Sequence, residues 1–157
     1  MISNAFQFVR DGQSEGLCSL VNSENVNVTN EYGQNLLHEA IAYGNVAVVN
    51  KLIELGIDVN HQDDKGQTPL HYTAQHKMKD VAEIILMNKG DVLVTDKFGN
   101  QALWTAVFNA RGDYDIVSLL LKYNSLPEHK NNSGRSPLDF ARQIKDTDLI
   151  SILDVKV

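Results

Sequence analysis

One cysteine, Cys18, stands among 157 residues. It cannot close an internal disulfide and gives no metal cluster, so the chain is expected to be reduced and cytoplasmic. No apolar run approaches the roughly 18–20 residues that cross a bilayer. The first ten residues, Met1 to Arg10, lack the basic segment and apolar core of a secretory signal. There is no glycine-rich phosphate loop ahead of a Lys-Ser/Thr pair, no His-Glu-x-x-His and no Gly-x-Ser-x-Gly. With neither a catalytic constellation nor a metal or cofactor motif, the expectation is a non-enzymatic protein. Its length suits one compact domain, and 43% hydrophobic against 22% charged residues is ordinary for a folded chain.

The net charge of −6 is unevenly spread. Residues 1–64 carry nine acidic side chains against Arg10 and Lys51, whereas residues 65–157 carry eleven acids against twelve bases. Such an N-terminal half disfavours nucleic-acid phosphates and anionic membranes and suits a basic protein partner. Solvated helix faces that have drifted acidic explain it equally well.

Glycine supplies a register. Gly33, Gly66 and Gly99 fall 33 residues apart, and Gly134 follows after 35. Asn30, Asp63, Asp96 and Asn131 each precede one of them by three positions. An Asp or Asn opening a turn, with glycine where positive φ is needed, marks a tight turn. In the clearest copy, Thr68-Pro69-Leu70-His71 follows, a hydroxyl N-cap with proline at the first helical position, and Ser136-Pro137-Leu138 repeats the device. The segments 35–40 and 101–106 keep the apolar positions without the proline.

A second helix follows in each unit. Val46, Val48, Val49, Leu52 and Ile53 correspond to Lys79, Val81, Ala82, Ile85 and Leu86, mostly apolar at helical spacing. Gly56 ends the first of these. Lys77 stands where Gly44 stood one unit earlier, and the two-residue excess falls within 110–115, where loop drift and a partner-contacting Arg, Asp and Tyr are the competing readings. One helix pair cannot bury its apolar face alone, so the units must stack. Cys18 is expected to be a small core residue on the second helix of the first unit.

Gly66-x-Thr68-Pro69-Leu70-His71, Leu37-His38-x-Ala40 and Gly56-Ile57-Asp58-Val59-Asn60 resemble the ankyrin-repeat family over nearly the whole chain. The resemblance implies an all-α solenoid of five helix-pair repeats joined by short β-turn or hairpin connections. Repeats are expected at about 1–29, 30–62, 63–95, 96–130 and 131–157, the outer two as caps. It also implies that His38 and His71, duplicated at repeat spacing, bond backbone and neighbouring turns, with Trp104 in the same place one unit later.

In this family, turn tips and first helices form a concave protein-binding face. The resemblance places Glu31, Tyr32, Asp64, Lys65, Lys97 and Phe98 on the tips, and Tyr43, Gln75, His76, Phe108 and Asn109 near the ends of first helices. Trp104 lies one turn behind Phe108. Exposed aromatics on a rigid face are usual interface anchors, although Tyr32 and Phe98 equally suit shielding of the hairpin. The tips run from acidic (Glu31, Asp63, Asp64) to basic (Lys65, Lys97, Arg135), a gradient that would orient a partner.

The function expected is therefore protein binding, by a free-standing stack that is monomeric when free and whose output is the binding itself. Small stacks of this kind resemble bacterial immunity proteins, which makes a basic toxin one partner class. A regulatory adaptor that recruits a peptide or an enzyme is the alternative.

Overall fold

The computed structural model describes residues 3–154. Ten short helices follow one another: α1 (Ser3–Arg10), α2 (Ser14–Leu20), α3 (Leu36–Ala42), α4 (Val46–Glu54), α5 (Pro69–His76), α6 (Lys79–Met87), α7 (Ala102–Asn109), α8 (Asp115–Lys122), α9 (Pro137–Gln143) and α10 (Thr147–Leu153). Consecutive helices pair, and the pairs stack. The odd-numbered helices form an inner row, α1 on α3 on α5 on α7 on α9; the even-numbered ones from α2 to α8 form an outer row. The only extended pairing among the described residues is an isolated bridge between Thr29 and Asn35. This is an all-α ankyrin-type stack, and among the described residues no helix is long and apolar enough to cross a membrane.

Repetition of burial follows repetition of sequence. Leu37, Leu70, Leu103 and Leu138 occupy one position and are all buried. Three positions further along the same helical face, Ala40, Thr73, Ala106 and Ala141 are small and buried, which lets the inner helices approach closely. In the outer row Leu52, Ile85 and Leu120 play the same part. Burying each such leucine contributes about 1.5–3 kcal/mol, and every one is shared between neighbouring pairs.

The turns between paired helices show how the chain manages without glycine. Gly44 has φ 71°, and Lys77, one unit on, adopts φ 55°. The outer-helix ends behave alike: Gly56 at φ 84° is followed by Lys89 at 70° and Asn124 at 64°. The left-handed conformation is thus dictated by position and held by packing, at a cost the side-chain-bearing residues carry.

Cys18 departs from expectation: it is exposed, not a core residue. On the seven-residue helix α2, Leu17 takes the inward position and is fully buried, which turns its neighbour about 100° outward. The longer connection between α7 and α8 spans 110–114, against 77–78 between α5 and α6. Within it the Tyr114 hydroxyl donates to both Asp146 carboxylate oxygens at 2.9 and 2.8 Å. The tyrosine therefore ties the extended loop to the N-cap of α10.

Candidate functional site

The candidate binding face begins at the turns. Asp63 Oδ1 accepts the Lys65 and Gln67 amides, each at 2.9 Å, closing a turn around Gly66. Asn30, Asp96 and Asn131 close theirs in the same way. Adjacent turns then bond in series: Asp64 N–H to Tyr32 O, Lys97 N–H to Lys65 O and Asn132 N–H to Phe98 O, at 3.0, 3.0 and 2.9 Å. Gly66 combines φ +75° with a tight approach, since a Cβ there would lie 2.9 Å from the Lys97 backbone nitrogen. A side chain would break both the turn and its bond to the next one.

Histidines fasten turns to helices. His71 Nε2 donates to the Asn100 carbonyl at 2.9 Å, and His38 Nε2 to that of Gln67 at 2.9 Å. His71 Nδ1 accepts the Thr68 amide at 3.1 Å and lies 2.9 Å from the Thr68 hydroxyl. The Thr68 side chain and the His71 ring thus close a reciprocal capping box at the start of α5, as the hydroxyl N-cap expected from the sequence requires. Burial pushes the His38 pKa down to about 4 and lowers that of His71. Both rings are neutral structural links at pH 7.

A second histidine pair escaped the sequence reading. His61 Nε2 donates to Gly33 O at 2.8 Å and His129 Nε2 to Gly99 O at 3.0 Å. Both stand five residues before a turn glycine, and that shared spacing is the signal that could have revealed them.

On this scaffold Tyr32, Tyr43, Phe98 and Phe108 are 61, 57, 66 and 59% exposed. Glu31, Asp64, Lys65, Gln75, His76 and Lys97 are exposed too, while Trp104 and Asn109 are half-buried. Asn109 Nδ2 turns back onto Thr105 O at 2.8 Å. Two clusters gather on this face, one around Tyr43 and one around Trp104 and Phe108. At the acidic end, Arg10 reaches from α1 to pair with Glu39, which is 5% exposed, and its guanidinium stands 6.0 Å from the centre of the Tyr43 ring. The ion pair raises the Arg10 pKa, chiefly through the hydrogen bond to Glu39. At the other end, Phe108 and Trp104 flank Phe140 at 5.4 and 5.8 Å between ring centres.

Between the two groups lies Tyr72, half-buried. Its hydroxyl donates to Asp63 Oδ2 at 2.9 Å and accepts from Gln34 Nε2 at 2.6 Å, and its ring meets His38 edge-on at 4.8 Å. Burial, foremost, pushes its pKa up to about 12. Asp63 is therefore consumed by the turn and by Tyr72, so the acidic character of the tips rests on Glu31 and Asp64. Neither Phe140 nor Tyr72 was foreseen as part of the face. Among the described residues no group of three or more His, Cys, Asp or Glu side chains could hold a metal ion.

A family model described as "Ankyrin repeats (3 copies)" matches residues 5–96. The chain belongs to the ankyrin-repeat family. The ankyrin turn-and-histidine geometry runs on past residue 96, as the Asn131 turn and the His129 link show. Relatives include the chicken nuclear factor NF-kappa-B p105 subunit, 33% identical over 120 residues, 71% of this chain and 12% of that protein. A fowlpox virus putative ankyrin repeat protein, FPV219, is 29% identical over 64% of this chain and 23% of its own length. The human SMC5-SMC6 complex localization factor protein 1 is 33% identical over 84% of this chain and 13% of its own. The chain thus spans under a quarter of each of these ankyrin relatives. Ankyrin repeats are a general protein–protein interaction module.

Proposed function

We propose that the protein binds a partner protein across its concave face, with Phe108 and Tyr43 as anchors. The observation that carries this reading is the Phe108 side chain. It is 59% exposed, yet held by Phe140 and Trp104 on an inner helix whose core positions are already filled by Leu103, Ala106 and Val107. A large aromatic outside the core, held rigidly by its ring neighbours, costs little entropy to bury against a partner.

Partner chemistry follows from charge. Exposed Glu31 and Asp64 at one end of the tip row suit a basic surface, and Lys65 and Lys97 fix its orientation. A basic toxin held by a stoichiometric inhibitor is the sharpest version of this reading, supported by the charge distribution alone. A regulatory adaptor is the second reading. It is favoured by relatives that include a subunit of a nuclear factor and a complex localization factor.

The test is affinity capture from native extract with the unaltered protein and with Tyr43→Ala/Phe108→Ala, each partner being identified by mass spectrometry. Loss of one stoichiometric partner, with helical circular dichroism unchanged, supports the reading; retention of every partner refutes it.

A further inference from the structure

The inner helices α7 and α9 pack together, and each presents two apolar side chains one turn apart. Trp104 and Phe108 stand at i and i+4 on α7, and Phe140 and Ile144 stand so at the end of α9. Phe108 and Ile144 are exposed, and the Phe140 ring joins those of Phe108 and Trp104. The repeat does not require this patch. At the place of Phe108 the other units hold Ala42, Gln75 and Gln143; at that of Ile144 they hold Tyr43, His76 and Asn109.

Four cations frame the patch. Lys97 and Arg135 stand on the turns that precede α7 and α9, and Arg111 and Lys145 on the turns that follow them. Lys97, Arg111 and Lys145 are exposed and Arg135 is half-buried. None of the four forms an ion pair among the described residues. Arg111 and Lys145 adopt φ 49° and 58° on turns where the first two repeats use Gly12 and Gly44. Glycine takes this conformation without strain, so basic side chains are kept here against the backbone preference. The loop of Arg111 is also fixed at both ends. Lys77 Nζ donates to the Ala110 carbonyl at 2.8 Å, and Tyr114 is tied to Asp146.

The acids on the same elements are already engaged. Helix α7 has no charged residue. Asp139 of α9 accepts from Lys130 Nζ at 2.8 Å and from the Ser136 amide at 3.0 Å. Asp96 closes its turn on the Phe98 and Asn100 amides. Asp113 accepts the Asp115 amide at 3.3 Å, and Asp146 caps α10 at the Leu149 amide.

An apolar patch framed by unpaired cations complements one chemistry. We propose that the α7–α9 end of the candidate face docks an acidic segment of the partner protein. A large apolar side chain of that segment sits on Trp104, Phe108, Phe140 and Ile144, and its flanking carboxylates face Arg111 and Lys145 on one side and Lys97 and Arg135 on the other. This rests on the protein-binding reading above and divides the partner's charge along the stack. A basic surface meets Glu31 and Asp64, an acidic segment meets α7 and α9, and the opposed signs fix one orientation.

Trp104 is the chain's one tryptophan, so its emission reports on the patch directly. The experiment titrates the full chain with three short synthetic peptides. The first has Asp and Glu around a central Leu-Phe pair, the second has the same pair among Lys, and the third is the acidic peptide with Ser-Ser at its centre. The first should change Trp104 emission saturably and bind at least about fivefold more tightly than the others, with an affinity that falls as salt is raised. Arg111→Gln/Lys145→Gln should weaken it about fivefold, and Arg111→Glu/Lys145→Glu at least about tenfold, with helical circular dichroism unchanged. Equal or tighter binding of the Lys peptide would overturn the proposal, as would no saturable response to the acidic Leu-Phe peptide or indifference to both charge variants. Each of these outcomes leaves the protein-binding reading standing. That reading fails separately, when Tyr43→Ala/Phe108→Ala retains every captured partner.

Discussion

His71 Nε2 and the Asn100 carbonyl, 29 residues apart and 2.9 Å from each other, join one helix to the turn of the next repeat. Cohesion along the stack is built from such bonds between neighbours, so damage should be local in origin and global in effect. His71→Ala would strand the Asn100 carbonyl and leave the Thr68 amide and hydroxyl without the imidazole, in a site where His71 is 1% exposed. We expect a loss of about 2–4 kcal/mol, measured by urea unfolding at pH 7. A loss below about 1 kcal/mol would mean that the histidine link is incidental.

The buried histidines also set the acid limit. In the unfolded chain an imidazole titrates near 6.5, whereas burial holds folded His38 near 4. Between those values the unfolded state binds the proton more readily, so stability is complete above about pH 6.5 and falls as pH drops toward 4. The decline from His38 is on the order of 3 kcal/mol, and His71 adds in the same direction. Asp139, held near 2 by its hydrogen bonds to Lys130 and Ser136, titrates below this window. Denaturant midpoints at pH 7.5, 6, 5 and 4.5 would check the slope. A His38→Gln variant should show a shallower one.

Lys89 adopts φ 70° in the place where Gly56 sits in the preceding repeat. Lys89→Gly should therefore stabilise the protein by about 0.5–1 kcal/mol, because glycine occupies this region without strain. Its side chain is exposed, so nothing packed is removed. Lys89→Ala keeps the strain and should leave the denaturation midpoint nearly unchanged.

Glu39 is buried and its hydrogen-bonded cation comes from a different repeat, at Arg10. Removing Arg10 leaves a carboxylate short of its partner; since the arginine is 40% exposed, the loss is expected at about 1–2 kcal/mol, below that for a fully buried pair. Arg10→Ala with Glu39→Gln should recover most of it. Thermal melts of the two variants give the comparison.

Much of the architecture is legible in the sequence because repetition multiplies the signal. The 33-residue glycine spacing, the Asn or Asp three positions earlier and the shared leucine at 37, 70, 103 and 138 all mark positions that every repeat must satisfy. The candidate face can be proposed from sequence where a residue type recurs. Phe140 escaped because its counterparts are Glu39, Tyr72 and Thr105, which have no chemistry in common, so no pattern marks the position as part of the surface. Cys18 was misplaced for a related reason: on a seven-residue helix, one residue's shift in phase exchanges core for solvent.

The central claim, that the concave face is the binding surface, is tested most directly by the dissociation constant for a captured partner. It should be measured for the unaltered protein, for Tyr43→Ala/Phe108→Ala and for Met87→Ala, an exposed apolar residue on an outer helix. The account predicts a loss of at least roughly a hundredfold for the double variant, about 3 kcal/mol from two anchors, and less than about threefold for Met87→Ala. Unchanged affinity in the double variant, or a larger loss from Met87→Ala, would contradict it.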